Sequence, residues 1–157
     1  MGKYLGLALT LFVNMAFMLA VFLLTLWLYH VPIQPSLFQA SLLIFVEILV
    51  VTAIALFFST FTSTTLSAIF TLGLYVIGHL TADLRAMVIN SDSSPIKSFV
   101  DLLYYLCPNL EMLNIKGQAA VGIVTAPEYV MMASLYGLMY AGVLLVGACL
   151  VFQQRDF

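Results

Sequence analysis

The sequence predicts an all-α, polytopic integral membrane protein. It has four transmembrane helices and a short amphipathic or re-entrant segment between the third and the fourth. Three observations carry this expectation. Hydrophobic residues make up 64% of the 157-residue chain, against about 45–50% in a soluble domain. Charged residues make up only 8%, against about 25%, too few to keep a globular surface in water. The apolar residues gather into four runs, each near the ~20 residues that a helix needs to cross a bilayer core. A mean hydropathy of +1.13 agrees. The same composition excludes a disordered chain. It excludes a nucleic-acid binder too, because five Lys and Arg cannot neutralise a run of phosphates.

The first run, Leu5–Leu28, carries no charge. Lys3 gives it a basic start, but Trp27-Leu28-Tyr29-His30 is not a small-residue cleavage site, so it reads as a retained span rather than a signal peptide. The following stretch, His30 to Ser36, holds Pro32 and Pro35 and cannot continue a helix. The second run, Leu37–Phe58, contains one charge, Glu47, halfway along. Ser59 to Thr65 is a hydroxyl-rich turn whose side chains are suited to cap the next helix. The third run, Thr65–Ala82, is uncharged, with His79 near its end. Short connections make these three an up-down-up series. The fourth run is Tyr129–Phe152, and Thr125-Ala126-Pro127-Glu128 has capping-box spacing at its start. The whole chain, residues 1–157, reads as a single transmembrane domain.

The segment from Asp83 to Glu128 has a different chemistry. It holds Asp83, Arg85, Asp92, Lys97, Asp101, Glu111, Lys116 and Glu128, eight of the twelve charged residues (seven acidic, five basic). Within it, about 94–116 reads as interfacial or re-entrant. Ser94-Pro95 marks a helix start, and Ile96, Phe99, Val100 and Leu103 recur at helical spacing. Leu110 to Ile115 is a second amphipathic piece, stopped by Gly117. Both pieces are too short to span and too apolar to float free. Tyr104, Tyr105 and Tyr129 are expected interface anchors.

Glu47 is the sharpest single feature, since a carboxylate at a span centre costs about 2.5–3.5 kcal/mol on insertion scales. It reads either as a lining residue of a transport path or proton relay, or as a carboxyl hydrogen-bonded across helices to Asn14 or Thr10. Asn14 itself reads as interhelical glue. His79 and Asp83 share a helical face at i,i+4, as a hydrogen-bonded pair rather than a metal site, which would need a third ligand. Gly73, Gly78, Gly137, Gly142 and Gly147 permit close helix packing without forming a strict GxxxG face. Cys107 and Cys149 read as unpaired small side chains. No phosphate-binding loop, H-E-x-x-H or G-x-S-x-G is present, so no catalytic, cofactor or metal site is expected in this chain.

Several strings in order carry a resemblance: Gly2-Lys3-Tyr4-Leu5-Gly6, Leu72 to Leu80, Leu103 to Glu111, Asn114-Ile115-Lys116-Gly117 and Arg155-Asp156-Phe157. Together they resemble the permease subunit of type-two ABC exporters, in the branch labelled as involved in multi-copper enzyme maturation. The resemblance implies the C-terminal part of a six-span subunit, with Glu47 in the family's fourth span. It implies a separate ABC ATPase partner that binds the ATP, and a second permease copy. It also implies a prokaryotic cytoplasmic membrane, with both termini cytoplasmic and the Asp83–Glu128 segment outside. Glu47, Asn14 and His79 are then the candidate path-lining or interhelical polar residues. A non-transporting scaffold and an inactive fragment stay open beside this reading, as does the cargo; no Met/Cys/His cluster of ligand type points to copper.

Overall fold

The computed structural model describes residues 2–88 and 107–153. The described chain is helical, with four long helices: α1, Gly2–Leu28; α2, Pro35–Ser59; α3, Thr64–Val88; and α5, Pro127–Gln153. Between α3 and α5 come a 3₁₀ turn, Leu110–Leu113, and a short helix α4, Lys116–Ala120. Helices α1, α2 and α5 are long and apolar enough to cross a membrane, and the described side chains of α3 form an apolar stretch over Thr64–Leu80. The expected helix over Ser94–Leu103 and the anchors Tyr104 and Tyr105 lie outside the described residues.

The helices begin and end a little beyond the apolar runs, for local reasons. Proline is tolerated in a first turn, where its missing N–H would be unpaired anyway. So α2 starts at Pro35 and α5 at Pro127. α1 closes with the Val31 N–H on the Leu26 carbonyl (2.9 Å) and the His30 N–H on the Trp27 carbonyl (3.2 Å). That closure puts His30 at φ 56°, in the left-handed region, where a side chain costs about 1–2 kcal/mol. His30→Gly is therefore expected to stabilise the fold by about 0.5–1 kcal/mol, after allowing for glycine's greater freedom when unfolded. Thermal unfolding in detergent would show a higher midpoint.

The hydroxyl-rich turn works in the opposite direction to that expected. Ser59, Thr60 and Thr62 donate back to the carbonyls of Leu56, Phe57 and Phe58, at 2.9, 2.7 and 2.8 Å. They add hydroxyl donors to carbonyls at the end of α2, two of which also accept backbone N–H groups, rather than capping α3, because those carbonyls lie within reach of a hydroxyl three or four residues on. Phe57, Phe58, Phe61 and Phe70 pack edge-on or tilted around this turn.

α2 is the central helix, and its partners fix the topology. Tyr4 donates to the Leu49 carbonyl (3.3 Å) and Phe12 meets Phe45, so α1 runs antiparallel to α2. Ser67 donates to the Ala55 carbonyl (2.8 Å), and His79 meets Glu47 further along, so α3 is antiparallel as well. Gly137 lies at Val46 and Gly147 at Phe57, so α5 runs parallel to α2. The four long helices thus alternate up, down, up, down. Small residues make the close approaches: Ala40 and Ala53 of α2 and Ala133 and Ala141 of α5 are all buried. Such contacts carry helix association where apolar side chains gain nothing by leaving lipid.

The connection before α5 enters the bundle. Leu110 sits against Gly78 of α3, where a Cβ would lie 2.7 Å from the Pro108 carbonyl oxygen. Leu113 sits against Gly137 of α5, and both leucines are fully buried. From Pro127 to Gly137 the helical rise is about 15 Å, so the 3₁₀ turn lies deep among α2, α3 and α5. Gly117 does not stop a helix as expected; it lies inside α4. The turning glycine is Gly122, at φ 81°, with the Gln34 side chain packed over it. The hydroxyl of Thr125 does not cap α5 either. It donates to Gln118 Oε1 (2.8 Å), while Gln39 grips the Thr125 backbone at both N–H (3.1 Å) and C=O (2.9 Å). That grip holds Thr125 away from the free N–H groups of α5.

Candidate functional site

Glu47 faces inward from α2, beside Leu43, Val46 and Val50, and is 4% exposed. Its two carboxylate oxygens have different partners. Oε2 accepts a hydrogen bond from Lys116 Nζ at 3.0 Å. Oε1 lies 3.4 Å from His79 Nε2. Three chain segments, α2, α3 and α4, therefore converge on one buried carboxylate.

His79 is held on its other side. Its Nδ1 lies 3.2 Å from the Tyr75 carbonyl, and its ring leans on the Tyr75 ring with centroids 4.6 Å apart. Both ring nitrogens thus face oxygen atoms. Lys116, the first residue of α4, comes from the opposite side. Its ammonium reaches Glu47, while 45% of its side chain remains exposed. Nearby, Glu111 accepts from Asn114 Nδ2 at 3.2 Å and so is tied within its own turn. A carboxylate with two basic partners is the kind of buried ionic site that can hold, exchange or pass a charge between helices.

The sequence named Glu47 and His79, and the fold brings them together. It does not bring Asn14 or Thr10 to Glu47. The Thr10 hydroxyl is spent on the Gly6 carbonyl of its own helix (2.9 Å). Asn14 is exposed, and no hydrogen bond is made by its side chain among the described residues. It borders an open apolar cleft between α1 and α2, about 550 Å³ in volume, whose floor is Lys116, Ala119 and Ala120. The side chain of Asp83, the expected partner of His79, lies outside the described ones; among the described residues no group of three His, Cys, Asp or Glu is placed to hold a metal.

Lys116 is the residue that sequence reasoning missed. A signal was present: an acid at mid-span needs a basic partner, and the segment before α5 offers only Arg85, Lys97 and Lys116. Local sequence does not choose among these: Arg85 lies between Leu84 and Ala86, and Lys116 between Ile115 and Gly117. Cys107 and Cys149 are both free thiols.

No family model, curated protein or solved structure matches this chain.

Proposed function

We propose that the chain is a transmembrane permease subunit of an ATP-driven exporter. The observation that carries this reading is the Glu47 carboxylate, buried halfway along α2 and met by His79 and Lys116. Ionisable groups inside a membrane are costly and mark substrate, ion or proton paths more often than they serve stability. In this reading all four long helices cross the prokaryotic cytoplasmic membrane, α3 included. The alternating topology of α1, α2, α3 and α5 then puts both termini on one side, the cytoplasm. The Leu110–Ala120 hook enters from the outer face and carries Lys116 down to Glu47.

Energy would come from an ABC ATPase subunit, because no phosphate-binding loop occurs in the sequence. α1, exposed along most of its length, leaves room for a second permease copy. The path would work as a two-state device: the partner's nucleotide cycle biases the balance between states, and the charged cluster senses it.

Affinity purification of the full chain from its native membranes tests this. A phosphate-loop ATPase should co-purify in near-equal amount; its absence under mild detergent would end the reading. Side-specific labelling tests the crossings. Glu128→Cys should react with an impermeant reagent from outside, and Thr62→Cys only from inside; equal sidedness would remove α3 as a span.

A further inference from the structure

We infer that the cleft between α1 and α2 is a binding site for a long-chain carboxylate, with the head group held between Lys116 and Asn14. The inference needs the helices to sit in a membrane and does not depend on the export reading. The cleft follows α1 from Leu11 to Phe22, about 16 Å at helical rise, and Met15, Met18 and Ile44 line it. Its 550 Å³ lies in the range of about 300–1,000 Å³ typical of small-molecule sites. An alkyl chain matches such walls.

Two polar groups set the head group. Lys116 is the single Lys or Arg whose side chain is described, and nearly half of it faces open space although its ammonium bonds Glu47. Asn14 presents an amide with no hydrogen bond among the described residues, halfway along an apolar helix. In hydrocarbon such a group needs a polar partner. The Ser41 hydroxyl, which also borders the cleft, is committed to the Leu37 carbonyl. One ammonium and one amide match the two oxygens of a monoanionic carboxylate. A dianionic phosphate would set two charges on one ammonium that already serves Glu47, and a neutral alcohol would form no ion pair with it. The ammonium has three N–H donors, so it can bond the ligand carboxylate while keeping Glu47 Oε2.

Equilibrium binding of dodecanoate to the full chain in phosphatidylcholine nanodiscs tests this, with dodecanol as the neutral control. Saturable binding at least tenfold tighter for dodecanoate is expected. Lys116→Arg should retain it, and Lys116→Gln should lose it at least tenfold. Because Lys116→Gln also strips Glu47 of a partner, Ala120→Trp provides a second variant. It fills the cleft with both Lys116 and Glu47 retained and should abolish binding while the unfolding midpoint holds. Equal binding of dodecanol, or unchanged binding in a folded Ala120→Trp protein, would overturn the proposal. So would cross-linking of Met18→Cys to a second copy that dodecanoate does not displace, since the cleft would then be a subunit contact.

Discussion

Glu47→Leu should destabilise the protein by about 3 kcal/mol, the low end of what removing one partner of a buried ion pair costs. The low end applies because Lys116 is 45% exposed and can swing part-way into the cleft. The cost arises from what the substitution leaves behind. Lys116 would face apolar walls without a counter-charge, and His79 Nε2 would lose its acceptor. The double variant Glu47→Leu/Lys116→Met should recover to within about 1 kcal/mol of the parent, because apolar replacements of similar volume often substitute for a buried pair without loss. Thermal unfolding of the purified protein in detergent, read as a double-mutant cycle, measures both. A stable single variant would show that the pair contributes nothing to the fold. Under the exporter reading proposed above, a stable double variant that fails to support export would show that the cluster serves function rather than folding.

That cycle also explains what the sequence made legible and what it did not. Composition and run length determine long helices because their causes are local: apolar side chains in sequence, proline at Pro32 and Pro35, and polar turns between. Glu47 stood out for the same reason, as a lone charge in an apolar run. Its partners are a different kind of fact. His79 comes from the next helix and Lys116 from sixty-nine positions away, and nothing in local patterning ranks one distant base above another. The segment around Lys116 reads as interfacial or re-entrant because it is short and amphipathic, which leaves its depth open. Its depth depends on Gly78, which leaves room for Pro108 and Leu110, while Gly137 lets α5 close on Val46 of α2 beside Leu113. Read singly, those glycines are indistinguishable from Gly73 and Gly142, where an added Cβ meets nothing. The Thr125 hydroxyl departs from its capping spacing for a related reason: it bonds Gln118 of α4, while Gln39, eighty-six positions away, holds the Thr125 backbone.

Those glycines support the second large effect. Gly78→Val should displace the hook from the bundle, whereas Gly73→Val, on the same helix, should be nearly silent. At Gly78 even a Cβ would lie 2.7 Å from the Pro108 carbonyl oxygen and 3.0 Å from Leu110 Cγ. The nearest obstacle is backbone, so it cannot rotate away as a flexible side chain would. Forcing extra methyl groups into such a contact costs typically about 1–3 kcal/mol. Here Pro108 and Leu110 belong to a short connection that can yield before α2, α3 and α5 separate. Expulsion would carry Lys116 off Glu47 and add the loss of the ion pair to the steric term. Cys107 reports the event directly. It is buried beside Pro108, and burial pushes its thiol pKa up from the ordinary value. The reactive thiolate is therefore scarce at neutral pH, and alkylation should require more alkaline solution. Once the hook leaves, the thiol meets water, its pKa falls back, and labelling should begin at lower pH and proceed faster at any fixed pH. Mass spectrometry of iodoacetamide-treated protein measures this at Cys107, with Cys149 as an internal comparison. A Gly78→Val protein whose Cys107 labels at the parent rate, with an unshifted unfolding midpoint, would mean that the hook is not wedged against α3. The route by which Lys116 reaches Glu47 would then have to be different.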